Sequence, residues 1–171
     1  KQNNTVFDKN ELKKLTYLFP KFINFDCNLN FLKYCENLEI IDLSSLEIVD
    51  ISDLSHLKNL TKLNLSSTKI ESIEALSNLG KLVELNIQDC IPVSLKPLIN
   101  HKNLNTILID DIEKISHTLD VKVIEQKVVF LKKGGTNHEI LKKQFLNTNS
   151  FDFKYQMIMA EMKKIDTDEK E

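Results

Sequence analysis

The stretch from Leu57 to Leu98 is the same line of text written twice. Leu57, Leu60, Leu63 and Leu65 recur as Leu79, Leu82, Leu85 and Ile87, each 22 positions on, and the trailing Ile73 and Leu76 recur as Leu95 and Leu98. The register runs back through Cys35, Leu38, Ile41, Leu43, Ile48, Ile51 and Leu54, and forward through His101, Leu104, Ile107 and Ile109. A period in the twenties marks stacked supersecondary units. In each copy an apolar pair separated by one residue puts both side chains on one side of a short strand. The trailing apolar residues, three apart, then return as a short helical turn with one apolar side. A single copy cannot cover that surface, whereas stacked copies cover one another.

These residues resemble the 22-residue leucine-rich repeats of internalins and of regulatory subunits of type-one protein phosphatase. The resemblance implies an α/β fold: a leucine-rich-repeat solenoid, wound as a right-handed βα superhelix, with parallel strands on the concave face and helical N- and C-terminal caps. It also implies that the chain holds another macromolecule rather than transforms a substrate. In such repeats the third position after the apolar pair is usually Asn, which satisfies backbone groups at the turn. Here Leu46, Thr68, Cys90 and Ile112 stand there. Thr and Cys can bond weakly; Leu and Ile cannot.

The flanks divide the chain. Asp8 with Glu11 forms a capping-box pattern, with Phe7 and Leu12 placed as its hydrophobic staple. Leu12, Leu15 and Phe19 follow at helical spacing and Pro20 stops them, which predicts a helix over 9–19 inside an N-terminal cap, 1–22. The repeat array is expected over 23–133. It opens on a shortened strand at Ile23-Asn-Phe25, and its last strand lies at Val128–Leu131 with Val129 and Leu131 facing inward. Gly134-Gly135 breaks the pattern. Two amphipathic stretches, one capped by Asn137 and one from Phe153 to Ile165, predict a C-terminal cap over 134–165, with a disordered charged tail at 166–171.

Composition narrows the function. The net charge is −2, from 23 basic and 25 acidic residues, which leaves no electrostatic footprint for nucleic acid or a membrane surface. No apolar run approaches the roughly 18 residues of a membrane span, and no signal-peptide pattern is visible. Cys27, Cys35 and Cys90 are an odd number without C-x-x-C spacing, which favours a reducing, cytoplasmic compartment. His56, His101, His117 and His138 lie at no metal-ligand spacing, and His101 and Cys35 fill apolar repeat positions. Gly134-Gly135 lacks a phosphate-loop context, and Asp110-Asp111 reads as a solvated turn. The expectation is a protein without catalysis, cofactor, metal or small-molecule substrate.

That leaves the strand residues that point away from the core. The 22-residue register aligns them in columns: Phe22, Ile40, Lys62, Glu84, Thr106 and Val128, and beside these Asn24, Asp42, Asn64, Asn86, Leu108 and Phe130. Every basic residue is Lys and there is no Trp, so two common interface anchors are missing and exposed aliphatic or aromatic residues must serve instead. The expected partner-binding residues are Ile40, Asp42, Lys62, Asn64, Glu84, Asn86 and Leu108, with another protein as partner. Two other readings are a structural subunit docking through the stretch Phe151–Ile165, and a surface adhesin of internalin type.

Overall fold

In a computed structural model of the 171-residue chain, the structure describes residues 8–19, 29–90 and 94–110, with the backbone of 129–132. The chain divides into two compact units, Lys1–Lys133 and Gly134–Glu171. The cap expected at 134–165 and the tail at 166–171 lie outside the described residues, as do Cys27, Ile112 and Gly134-Gly135.

The apolar register builds one parallel sheet. Its strands, each bonded to the next in chain order, are β1 (Tyr17–Leu18), β2 (Ile40–Asp42), β3 (Lys62–Asn64), β4 (Glu84–Asn86), β5 (Thr106–Ile109) and β6 (Val129–Lys132). Ile41, Leu63, Leu85 and Ile107 pair in file, and all four are 0% exposed. The file stays aligned because an inward strand residue returns at the same height after every 22-residue step.

Among the described residues, β1, β2, β3 and β4 are each followed by a return turn. Ser52–Leu54, Glu74–Leu76 and Lys96–Leu98 are 3₁₀ turns, as is Asn30–Tyr34 further back. With three residues per turn, positions three apart share a side. The pairs Ile51 and Leu54, Ile73 and Leu76, and Leu95 and Leu98 therefore all reach the core. The turns begin alike: a side-chain oxygen of Asp50, Ser72 or Ser94 accepts from the N–H two residues on, at 2.8, 3.3 and 3.1 Å.

Asparagines tie each turn to the one before. Asn37, Asn59 and Asn103 donate Nδ2 to the carbonyls of Lys13, Glu36 and Gly80 at 2.8, 3.1 and 2.7 Å. At the position that breaks this series, Lys81 Nζ donates to Asn59 Oδ1 at 2.8 Å. The turn position where Asn is usual is served as its chemistry allows. Thr68 Oγ1 donates to the Leu65 carbonyl at 2.6 Å, Cys90 Sγ approaches the same carbonyl at 2.9 Å, and Leu46 only packs against the core.

Both ends of the array depart from expectation. The helix stops early: α1 spans Lys9–Lys14, capped by Asp8, whose Oδ1 accepts from Asn10 N at 2.9 Å. Tyr17 and Leu18 instead form the first strand, paired with Ile40 and Ile41. Leu12, Leu15 and Leu18 match Cys35, Leu38 and Ile41, so the spacing that suggested a helix is the opening of a repeat. β1 is the first strand among the described residues, and its step from Leu18 to Ile41 is 23 residues; the strand expected at Ile23-Asn-Phe25 lies outside the described residues. At the other end β6 pairs Phe130 with Ile107 and Leu131 with Leu108, again a step of 23 residues, one off the register expected for Val129 and Leu131.

Candidate functional site

The strand residues that alternate with the buried file form two rows on the open side of the sheet, and the rows differ in kind. Tyr17, Ile40, Lys62, Glu84 and Thr106 pair neighbour to neighbour, and all are half-buried. Lys62 Nζ lies 3.0 Å from Glu84 Oε1, with side-chain exposures of 33% and 24%. The two sit directly opposite on adjacent strands, where opposite charges favour the pairing. This row places an aromatic and an aliphatic residue at one end, an ion pair in the middle and a hydroxyl at the other end.

The second row is Asp42, Asn64, Asn86 and Leu108. Asp42 is half-buried, while Asn64 and Asn86 are only 6% and 8% exposed. The side-chain oxygens of Asp42, Asn64 and Asn86 accept from the N–H of Ser44, Ser66 and Gln88 at 2.8, 3.1 and 3.1 Å. These Asx turns bend the chain out of each strand. Directly after them Ser45, Ser67 and Asp89 take φ of 61°, 57° and 54°. Ordinary L side chains are disfavoured there by about 1–2 kcal/mol, so the Asx bonds hold the chain in a shape it would otherwise leave.

Two corrections to the expected binding set follow. Asn64 and Asn86, expected as exposed contacts, are nearly covered and give their side-chain oxygens to a backbone N–H. Leu108, expected as an exposed anchor, is 2% exposed and stands apart from the contiguous core. Its neighbour in the row, Asn86, is itself nearly covered, so this row is closed to solvent from β3 onward. Ile40, Lys62 and Glu84 remain at the accessible surface, with Asp42 at its margin. Tyr17 joins them, missed because its segment reads as helix.

The reactive residue types serve the fold. His56 and His101 each place Nε2 2.9 Å from a carbonyl of an earlier turn, Leu32 and Leu76 respectively. Burial pushes the Cys35 thiol up to about 12, so it stays protonated, a small filler in a leucine position. The Asp110 carboxylate accepts the Asp89 N–H, which makes it part of the turn. Among the described residues no group of three or more His, Cys, Asp or Glu could hold a metal ion, and no helix is long and apolar enough to cross a membrane.

Comparison with known proteins agrees with this architecture. A family model described as leucine rich repeats (2 copies) matches residues 36–78. An internalin (inlF) of Listeria monocytogenes matches with a TM-score of 0.55 at 28% identity, over 63% of this chain and 33% of that one. Internalin C2 of the same organism matches at 30% identity over 52% of this chain and 42% of its own, with a TM-score of 0.47. The chain thus spans about a third of the length of the first internalin. No curated protein matches it. The chain carries leucine-rich repeats and is similar to internalins.

Proposed function

We propose that this leucine-rich-repeat array is a non-enzymatic module that binds another protein on the first row of its concave strand face: Tyr17, Ile40, Lys62, Glu84 and Thr106. Leucine-rich-repeat proteins generally mediate protein–protein interactions, and a regular sheet offers a partner rigid, pre-positioned side chains. The observation that carries the reading is the contrast between the rows. In the second row Asp42, Asn64 and Asn86 spend their side-chain oxygens on Asx turns and the row is buried from Asn64 onward, whereas the first stays half-exposed and in register on five strands. Ile40 is the anchor, Lys62 and Glu84 set charge specificity, Asp42 flanks them, and Asn64 and Asn86 shape the surface from beneath. Leu108 is not a contact.

The module acts as a subunit of an intracellular assembly. In support, Cys35 and Cys90 are both free thiols. Disulfide-linked forms of the native protein would contradict that setting. The binding claim is tested by affinity purification from the native source with wild-type and Ile40→Asp baits. Loss of about tenfold or more of the recovered partner by the variant is expected, because truncated or charged anchors weaken interfaces by at least that factor. Equal recovery removes this row from the interface.

A further inference from the structure

His101 stands where the two preceding turns carry Leu57 and Leu79, and it is 4% exposed. Its Nε2 lies 2.9 Å from the Leu76 carbonyl oxygen, one turn back. A carbonyl can only accept, so Nε2 carries the proton and Nδ1 is a bare lone pair. That Nδ1 is buried, and among the described residues no donor reaches it. His56 makes the same bond to Leu32, also at 2.9 Å, but is only half-buried. The two imidazoles share one anchor and differ in access to water.

A second proton on His101 would put a charge among leucines and an N–H at Nδ1, which makes no hydrogen bond among the described residues. Burial accordingly pushes its pKa down from the ordinary value, and the opposing pull of the Leu76 and Ser77 carbonyls is smaller. Among the described residues, the charged side chains on the adjoining segments are Glu74 and Lys96 on the two return turns, Lys81 and Lys102 just beyond them, and Lys58, whose Nζ reaches the Asn78 carbonyl. All of these are exposed, and none of them drives the shift.

We propose that His101 is an acid-sensitive latch between the turn ending at Leu76 and the turn carrying β5: a proton on Nδ1 releases residues 94–109 while β2, β3 and β4 stay folded. The sign follows from linkage. The latch contributes fully above the ordinary imidazole value of about 6.5, and weakens as pH falls below it, because the opened segment then binds a proton that the closed one refuses.

The test is amide hydrogen exchange of the full chain at about pH 7.5 and about pH 5.5, corrected for intrinsic exchange, on wild type, His101→Leu and His56→Gln. Acid should lower protection over 94–109 several-fold in wild type and His56→Gln, with 41–83 unchanged; about tenfold is the ceiling that an ordinary value of about 6.5 in the opened segment sets at about pH 5.5. His101→Leu should lose the pH dependence. An equal acid loss in His101→Leu, or a loss spread evenly over the sheet, overturns the proposal. Should that variant not fold, the His101 imidazole of wild type is titrated by NMR. Titration below the ordinary range with protection falling alongside supports the latch; titration at the ordinary value with protection intact overturns it.

Discussion

Two rows of residues lie side by side on the same strands and do opposite work. Asp42, Asn64 and Asn86 look like polar surface in the sequence but spend their side-chain oxygens on the backbone two residues ahead. Ile40, Lys62, Glu84 and Thr106, two positions earlier on each strand, keep their side chains half-exposed. The lesson is that a repeat fixes chemistry by position within the turn. A short Asp or Asn at the end of a strand reaches its own turn, whereas a residue at its start has no bend to serve and stays available to a partner.

The comparison can be broken most severely from beneath. Leu85 is 0% exposed and lies in file between Leu63 and Ile107. Leu85→Ala should lower the unfolding free energy by about 2–5 kcal/mol in denaturant titration, through lost transfer energy and the cavity left behind. It disables both rows at once and so sets the scale for the rest.

Next in size is the second row itself. Asn86→Leu leaves the Gln88 N–H, now bonded to Asn86 Oδ1 at 3.1 Å in a buried setting, without its acceptor. The expected loss is about 1–3 kcal/mol. Asn86→Asp should recover most of it, because Asp42 makes the same bond with a carboxylate at 2.8 Å. A loss from Asn86→Leu no larger than that from Asn86→Asp would deny the row its structural role.

A smaller effect, of opposite sign, sharpens the same point. Ser67 holds a φ of 57° beyond the Asx turn of Asn64. Ser67→Gly should stabilise by up to about 1 kcal/mol in thermal or chemical unfolding, since relief of left-handed strain slightly exceeds the added freedom of glycine in the unfolded chain. The gain is reduced by loss of the Ser67 Oγ to Asp89 Oδ2 bond at 3.2 Å.

The array was plain in the sequence because burial demands a leucine-like residue at fixed steps, and Leu63, Leu85 and Ile107 announce the file. Its first turn was obscured because Leu12, Leu15 and Leu18 fit both a helix side and a repeat opening; only the parallel pairing of Tyr17 with Ile40 separates them. The last register slipped because β6 follows a step of 23 residues, one longer than the 22 that separate β2, β3, β4 and β5. The proposed binding row was half legible. Alternation identified the outward residues of β2 to β5 but missed Tyr17, and burial of Leu108 and the Asx bonds of Asn64 and Asn86 are tertiary facts. A local signal existed for the latter: Asp42, Asn64 and Asn86 recur at the 22-residue step, each just ahead of the bend. The tying asparagines at 37, 59 and 103 likewise recur in register, unread because attention followed the leucines.

The most direct test exchanges the charges of the pair Lys62 and Glu84 in one variant, Lys62→Glu with Glu84→Lys, and measures unfolding free energy and partner affinity on the same preparation. The pair is preserved in mirror image, and a partly exposed pair is worth only about 0.2–1 kcal/mol in any case, so stability should change by no more than that. A partner reading this row meets reversed charge, and its affinity should fall about tenfold or more. Unaltered affinity in the folded variant would contradict the account.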